Sequence, residues 1–189
     1  FYTLDELKTE MKKLAWVKGD YKIVPYGYVS GSLIAESHRT SPGDYTFYVF
    51  PVGAGFENSF HVDAKSTRVG LDLFGPTVGC CGDAMTGGRI EIDFQGSFAS
   101  ENKGSVLLRH AYLEVKNEEY RLLAGQTWDV ISPLYPGMIM YSVGWAGGNI
   151  GYRRAQFRGE RYFAVSDGLM LTTAGSLNVD LNGDFVGST

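Results

Sequence analysis

The residues of this chain best equipped for chemistry are arginines and carboxylates that recur at two-residue spacing. In GGRIEIDFQGSF, Arg89, Glu91, Asp93 and Gln95 share one parity, while Ile90, Ile92, Phe94 and Phe98 share the other. Successive side chains of a strand point to opposite faces, so this segment predicts one charged face and one apolar face. In YRRAQFRGERYF, Arg154, Gln156, Arg158 and Glu160 stand opposite Ala155, Phe157, Gly159 and Phe163, with Arg153 and Arg161 breaking the pattern near the ends. TRVGLDLFG repeats it, placing Val69, Leu71 and Leu73 against Arg68, Gly70 and Asp72. LLRHAYLEV sets Arg109 and Ala111 against Leu108 and Tyr112, but His110 and Glu114 interrupt the apolar row. Such rows do electrostatic work, either as solvated charges and salt bridges or as the ion-selecting lining of a narrow passage.

Other chemistry finds little support. His38, His61 and His110 are scattered, there is no nucleophile-elbow serine, and the carboxylates lie in alternating strand patterns, so no catalytic residue is expected and the chain is not read as an enzyme. Cys80 and Cys81 are adjacent, which fits two thiols or a vicinal disulfide in a turn and not a spaced zinc site. No metal and no cofactor are therefore expected. GPTVGCCGDAMTGG has no Lys-Ser/Thr ending and leads into a strand, so it is not a phosphate loop. A net charge of −4 argues against a nucleic-acid partner held by a global positive field.

The elements that must position these residues are mostly strands. In TLDELKTEMKKLAW, Leu4, Leu7, Met11 and Leu14 recur at helical steps, and Thr3 with Glu6 forms a capping-box pair. This predicts a short amphipathic helix over residues 1–18, either lying on a core or ending an oligomerising stalk. No secretory leader opens the chain, which suits a mature or shortened form. From residue 21 onward, aromatic and β-branched segments alternate with Gly, Pro, Asn and Asp clusters, predicting about seven strands near 21–36, 62–74, 88–99, 106–116, 120–128, 149–163 and 168–179. No run of about 18 apolar residues is present to make a membrane helix, but that test is blind to barrels, whose strands signal only by alternation. Alternation also fits a soluble sandwich. The connections favour a barrel: 117–119 is tight, whereas 37–61, 100–105 and 129–148 are mostly longer and glycine-bearing.

The ordered series KIVPYGYVSGSLIAES, STRVGLDLFGP, GGRIEIDFQGSF, LLRHAYLEV, YRLLAGQTWDVISPLYP and GNIGYRRAQFRGERYF resembles the trimeric outer-membrane porins, especially the DcaP-like branch with an N-terminal coiled coil. The resemblance covers residues from about 22 to 163. It implies an all-β chain: a transmembrane antiparallel β-barrel over 19–189, incomplete in this chain, preceded by the helix of 1–18 as the end of a trimerising periplasmic stalk. The loop 128–148 then folds into the barrel as a constriction, with Trp128, Asp129, Tyr135, Met138 and Trp145 on it. An apolar loop is sheltered from lipid there. Arg68, Asp72, Arg89, Glu91, Asp93, Arg109, Arg154, Arg158 and Glu160 become pore-lining candidates. Only Asp129 is acidic in that loop, and the arginines of the sixth expected strand motivate an anion-tolerant or anion-preferring channel.

The partners so implied are outer-membrane lipid, two further copies in a homotrimer, and a cell-wall or surface-layer component on the stalk. Leu4, Leu7, Met11 and Leu14 would meet in the stalk, and Gly27 and Gly31, on one face with Val29, Leu33 and Ala35, would let subunits approach or would instead mark a bend. Seven strands close no bacterial barrel, which has an even number of at least about 8, so a longer chain is expected. Two other readings compete. One is a soluble β-sandwich or barrel that binds carbohydrate or another ligand, with Trp16, Trp128 and Trp145 clustered at one mouth. The other is a structural barrel that anchors the envelope through its stalk.

Overall fold

A computed structural model describes residues 14–38, 40–41, 48–51, 58–79, 82–96, 104–131 and 152–179. Among them the chain is all-β, with strands β1 (Trp16–Lys18), β2 (Tyr21–Tyr28), β3 (Ser32–Glu36), β4 (Thr40–Ser41), β5 (Tyr48–Val49), β6 (Ser59–Asp63), β7 (Arg68–Val78), β8 (Ala84–Asp93), β9 (Leu107–Lys116), β10 (Tyr120–Trp128), β11 (Arg153–Ser166) and β12 (Leu169–Asn178). Eight of them form one sheet in the order β1-β2-β7-β8-β9-β10-β11-β12. Every neighbouring pair is antiparallel. The sheet is open, with β1 and β12 at its edges. Hairpins β3–β6 and β4–β5 form two small sheets of their own.

The connections within the large sheet sort by end. At one end residues 19–20, 79–83, 117–119 and 167–168 turn the chain in two to five residues, and at the other lie the long links 29–67, 94–106 and 129–152. The turn after β9 is built by Asn117, whose side-chain oxygen accepts hydrogen bonds from the backbone N–H of Glu119 and of Tyr120, both at 2.9 Å. Both small hairpins belong to the long-link end, within 29–67.

Three expectations need correction. The strand expected over 21–36 is two strands: the Ser30 N–H donates to the Thr67 hydroxyl at 3.0 Å, and β3 leaves the large sheet to pair with β6. The stretch expected over 62–74 likewise divides between β6 and β7. The end of the expected helix is also extended, because Trp16, Val17 and Lys18 pair with Ile23, Lys22 and Tyr21 around Gly19, which takes the positive φ (60°) that the turn requires. Aromatic and β-branched residues beside such a turn favour a hairpin over a last helical turn. The large sheet therefore holds eight strands, one more than expected. Residues 1–13, with Leu4, Leu7 and Met11, lie outside the described residues, as do Cys80 and Cys81.

The sheet reverses the usual placement of apolar and charged groups. Among the described residues the buried apolar side chains are Ala84 and Leu123, whereas Glu91, Asp93, Arg109, Glu114, Gln156 and Glu160 are all buried. Ile90, Leu108, Leu113, Leu122, Phe157, Phe163, Leu171 and Leu177 are exposed, Leu113 at 66% and Leu177 at 78%. A fold solvated by water buries the second set and exposes the first. An apolar face of this extent requires an apolar neighbour.

Candidate functional site

The charged face of the large sheet carries the candidate site, and register explains how its residues meet. Asp72 lies opposite Arg89 across β7–β8 and Arg68 opposite Asp93. Arg121 lies opposite Glu160 across β10–β11. Even spacing brings these side chains to one face, where opposite charges on neighbouring strands fall within reach.

At the long-link end of β8 and β9 a cluster forms around Arg109. Its Nε donates to Glu91 at 2.7 Å and its Nη1 to Asp93 at 2.6 Å, with Arg109 5% and Asp93 2% exposed. Glu91 also accepts from the Tyr26 hydroxyl at 2.8 Å and lies 3.4 Å from Arg68. Arg109 reaches this position through a β-bulge: Glu91 pairs with His110 and Ile92 with Leu108, which leaves Arg109 as the extra residue on β9. Arg109 and His110 are consequently both buried, and the alternation then continues through Tyr112 and Glu114. The interruption in LLRHAYLEV is this bulge, and the expected grouping of Arg109 with Ala111 is corrected by it.

Toward the short turns a second cluster links β9, β10 and β11. Arg121 donates to Glu114 and approaches Glu160 at 3.4 Å, while Glu160 meets Arg158 at 2.7 Å and accepts from the Tyr162 hydroxyl at 2.6 Å. Lys116 adds a contact of 2.8 Å to Glu114. Between the clusters Arg89 binds Asp72 through both Nε (2.7 Å) and Nη2 (3.2 Å) and lies over the Tyr26 ring at 5.2 Å. At the mouth of the long link Arg154 holds Asp129 at 2.7 Å, and the Tyr152 N–H donates to the same carboxylate.

All nine pore-lining candidates thus lie on the charged face, and each has an ion-pair partner there. Arg121, Glu114, Lys116 and Tyr26 belong to the same network without having been singled out. Arg121 sits in YRLLAGQTW, whose only charge is this one, so no alternation marked it. Arg68, Arg89, Arg109, Arg121, Arg154 and Arg158 meet Asp72, Glu91, Asp93, Glu114, Asp129 and Glu160: six guanidinium groups against six carboxylates. Lys116 adds one positive charge at the short-turn end.

Of the constriction-loop candidates, Asp129 is 1% exposed and fastens the start of the link to β11. Trp128 lies under Arg153 at 4.9 Å. Tyr135, Met138 and Trp145 lie outside the described residues. Gly27 takes a φ of 152°, and a side-chain carbon there would strike the Arg68 carbonyl oxygen, so the β2–β7 approach itself requires glycine. Gly31 faces open space, and Leu14 is exposed. The tryptophan cluster of a soluble ligand-binding module does not form from the described members. Trp16 is on the edge strand β1 beside a short turn, and Trp128 is at the long-link end of β10, with four strands between them. Among the described residues no group of three or more His, Cys, Asp or Glu is arranged to hold a metal ion.

A family model described as DcaP outer membrane protein matches residues 51–188. No curated protein and no solved structure matches the chain.

Proposed function

Because the chain belongs to the DcaP outer membrane protein family, and so to the bacterial outer membrane, we propose that it forms the wall of a porin, a β-barrel channel through which small hydrophilic solutes diffuse passively. The reversed sheet carries this reading. Exposed leucine, isoleucine and phenylalanine on one face suit lipid, and paired charges on the other suit a water-filled lumen. The sorting of short turns to one end and long links to the other has the same explanation, the short turns being periplasmic. The open edges β1 and β12 pair with further strands in the complete barrel, since unpaired backbone groups are costly in hydrocarbon.

Anions are among the solutes, but the preference for them is weak, because Arg154 and Arg158 are paired with Asp129 and Glu160. The link after β10, fastened by Asp129, is the constriction loop. Three copies form the working assembly, with lipid around it and residues 1–13 leading into a stalk that can meet a cell-wall component. Planar-bilayer recording of the full-length protein tests the reading. Conductance in steps of three, with a small reversal potential in a salt gradient, supports it, and a silent, water-soluble protein overturns it.

A further inference from the structure

The hairpin β3–β6 leaves the large sheet but keeps two unlike faces. Leu33 lies opposite Val62 and Ala35 opposite Phe60, and all four are exposed, Phe60 at 62%. Ser32, Glu36, Ser59, His61 and Asp63 share the other face with Ile34. There the Glu36 carboxylate accepts from the Thr40 and Ser59 hydroxyls, both at 2.7 Å, and Asp63 accepts from the Lys65 backbone N–H at 3.1 Å and from the Gln95 amide at 3.5 Å. Gln95 has the parity of Glu91 and Asp93, so the polar side of the hairpin continues the charged face of the sheet. The apolar side continues the other: Pro25, Gly27, Val29, Gly31, Leu33 and Ala35 keep one parity. Asp63 and Arg68 are five residues apart yet both on the polar side, because the turn closed by the Thr67 N–H on the Ala64 carbonyl at 3.0 Å takes up the odd residue.

Height decides what can cover this apolar side. From the short turn 19–20, the eight residues of β2 and the three that follow climb about 26 Å, at about 3.3 Å per residue and a tilt of about 45°. The apolar band of a membrane barrel is about 25 Å tall. β3 and β6 therefore start near its outer edge, and Ala35 with Phe60 stands above it, among polar headgroups and water. An apolar patch in such surroundings marks a protein contact. Its size narrows the choice of protein. Five residue pairs on two strands about 4.8 Å apart present about 160 Å², against roughly 800 Å² per partner in a stable interface, so a foreign protein would not be held by it. A copy of this chain that is already held through the barrel wall needs only to approach, and Gly31, which faces open space, leaves room between Val29 and Leu33. We propose that the apolar side of β3–β6 packs against a neighbouring copy of the chain on the outer side of the membrane. The contact rests on the trimer of the porin reading and names a surface for it.

Photo-cross-linking of the full-length protein in outer membranes tests the contact. Leu33→p-benzoylphenylalanine and Phe60→p-benzoylphenylalanine are each expected to give a band at twice the subunit mass on illumination, whereas Leu177→p-benzoylphenylalanine, on the exposed apolar face of β12, gives none. Leu33→Asn combined with Phe60→Asn, at positions exposed within one copy, is expected to lower the temperature at which the assembly dissociates in detergent by several degrees. Lipid adducts at 33 and 60 in place of protein, no doubled band from a protein that is trimeric by mass, or an unchanged dissociation temperature overturns the contact and leaves the trimer standing. A monomer by mass overturns the trimer, and the contact with it.

Discussion

Arg109 shows what single residues do in this sheet. It neutralises Glu91 and Asp93 together from a buried position, so its removal strips Asp93 of its ion-pair partner and leaves Glu91 only Arg68, at 3.4 Å, as the two carboxylates face each other. Breaking a buried pair in this way costs about 3–5 kcal/mol. Arg109→Ala is therefore expected to lower the urea midpoint of the full-length protein refolded in lipid vesicles by a corresponding amount; an unchanged midpoint would show that the lumen solvates both acids. Glu160 has the opposite relation to charge, because it holds Arg158 and approaches Arg121. Glu160→Gln releases positive charge to the lumen and is expected to move the reversal potential in a KCl gradient toward the anion side. The alternation of arginine and carboxylate was legible in the sequence, since it needs only the two-residue period. Which charge pairs with which was not, because partners such as Arg121 and Glu160 are 39 residues apart and meet only through strand register.

At the scale of elements, the reading from sequence succeeded where a strand keeps one period and failed where the backbone departs from it. β8 and β11 followed their quoted alternation, whereas the bulge at Arg109 put two consecutive residues on one face. The break after β2 was equally hidden: apolar alternation continues through VSGSLIAES although the ladder ends at Tyr28. The apolar faces of the strands make a prediction that separates lipid from water. Leu113 projects from the middle of β9 and is 66% exposed, so a water-solvated sheet accepts Leu113→Arg almost freely. In a bilayer the same change costs about 2–4 kcal/mol near the midplane, measurable as a fall in the folded fraction in lipid vesicles under urea. Gly27→Ala tests a different contact, that of β2 with β7. Its added carbon meets the Arg68 carbonyl, so heating in detergent is expected to unfold the variant at a lower temperature than the unaltered protein.

For the whole molecule, the decisive property is which face of one antiparallel sheet meets lipid and which meets water. Composition and net charge narrow the choice of partner without revealing that orientation, because a sandwich and a barrel share the same period. Burial of Glu91, Asp93, Arg109, Glu114, Asp129 and Glu160, within a network of six carboxylates and six arginines, beside exposed leucines distinguishes them. β12 offers the cleanest place to test it, since its residues opposite Glu160 and Arg158 are the small Ala174 and Ser176, while Leu177 pairs with Phe157 on the apolar face. The measurement is planar-bilayer conductance of the full-length protein, with Cys80 and Cys81 replaced by serine and a single cysteine introduced at 174, 176, 173 or 177, before and after a charged, membrane-impermeant thiol reagent. The account predicts an open channel whose current falls on labelling at 174 and 176 and is unaffected at 173 and 177; absence of a channel, or block at 173 and 177 with 174 and 176 silent, would contradict it.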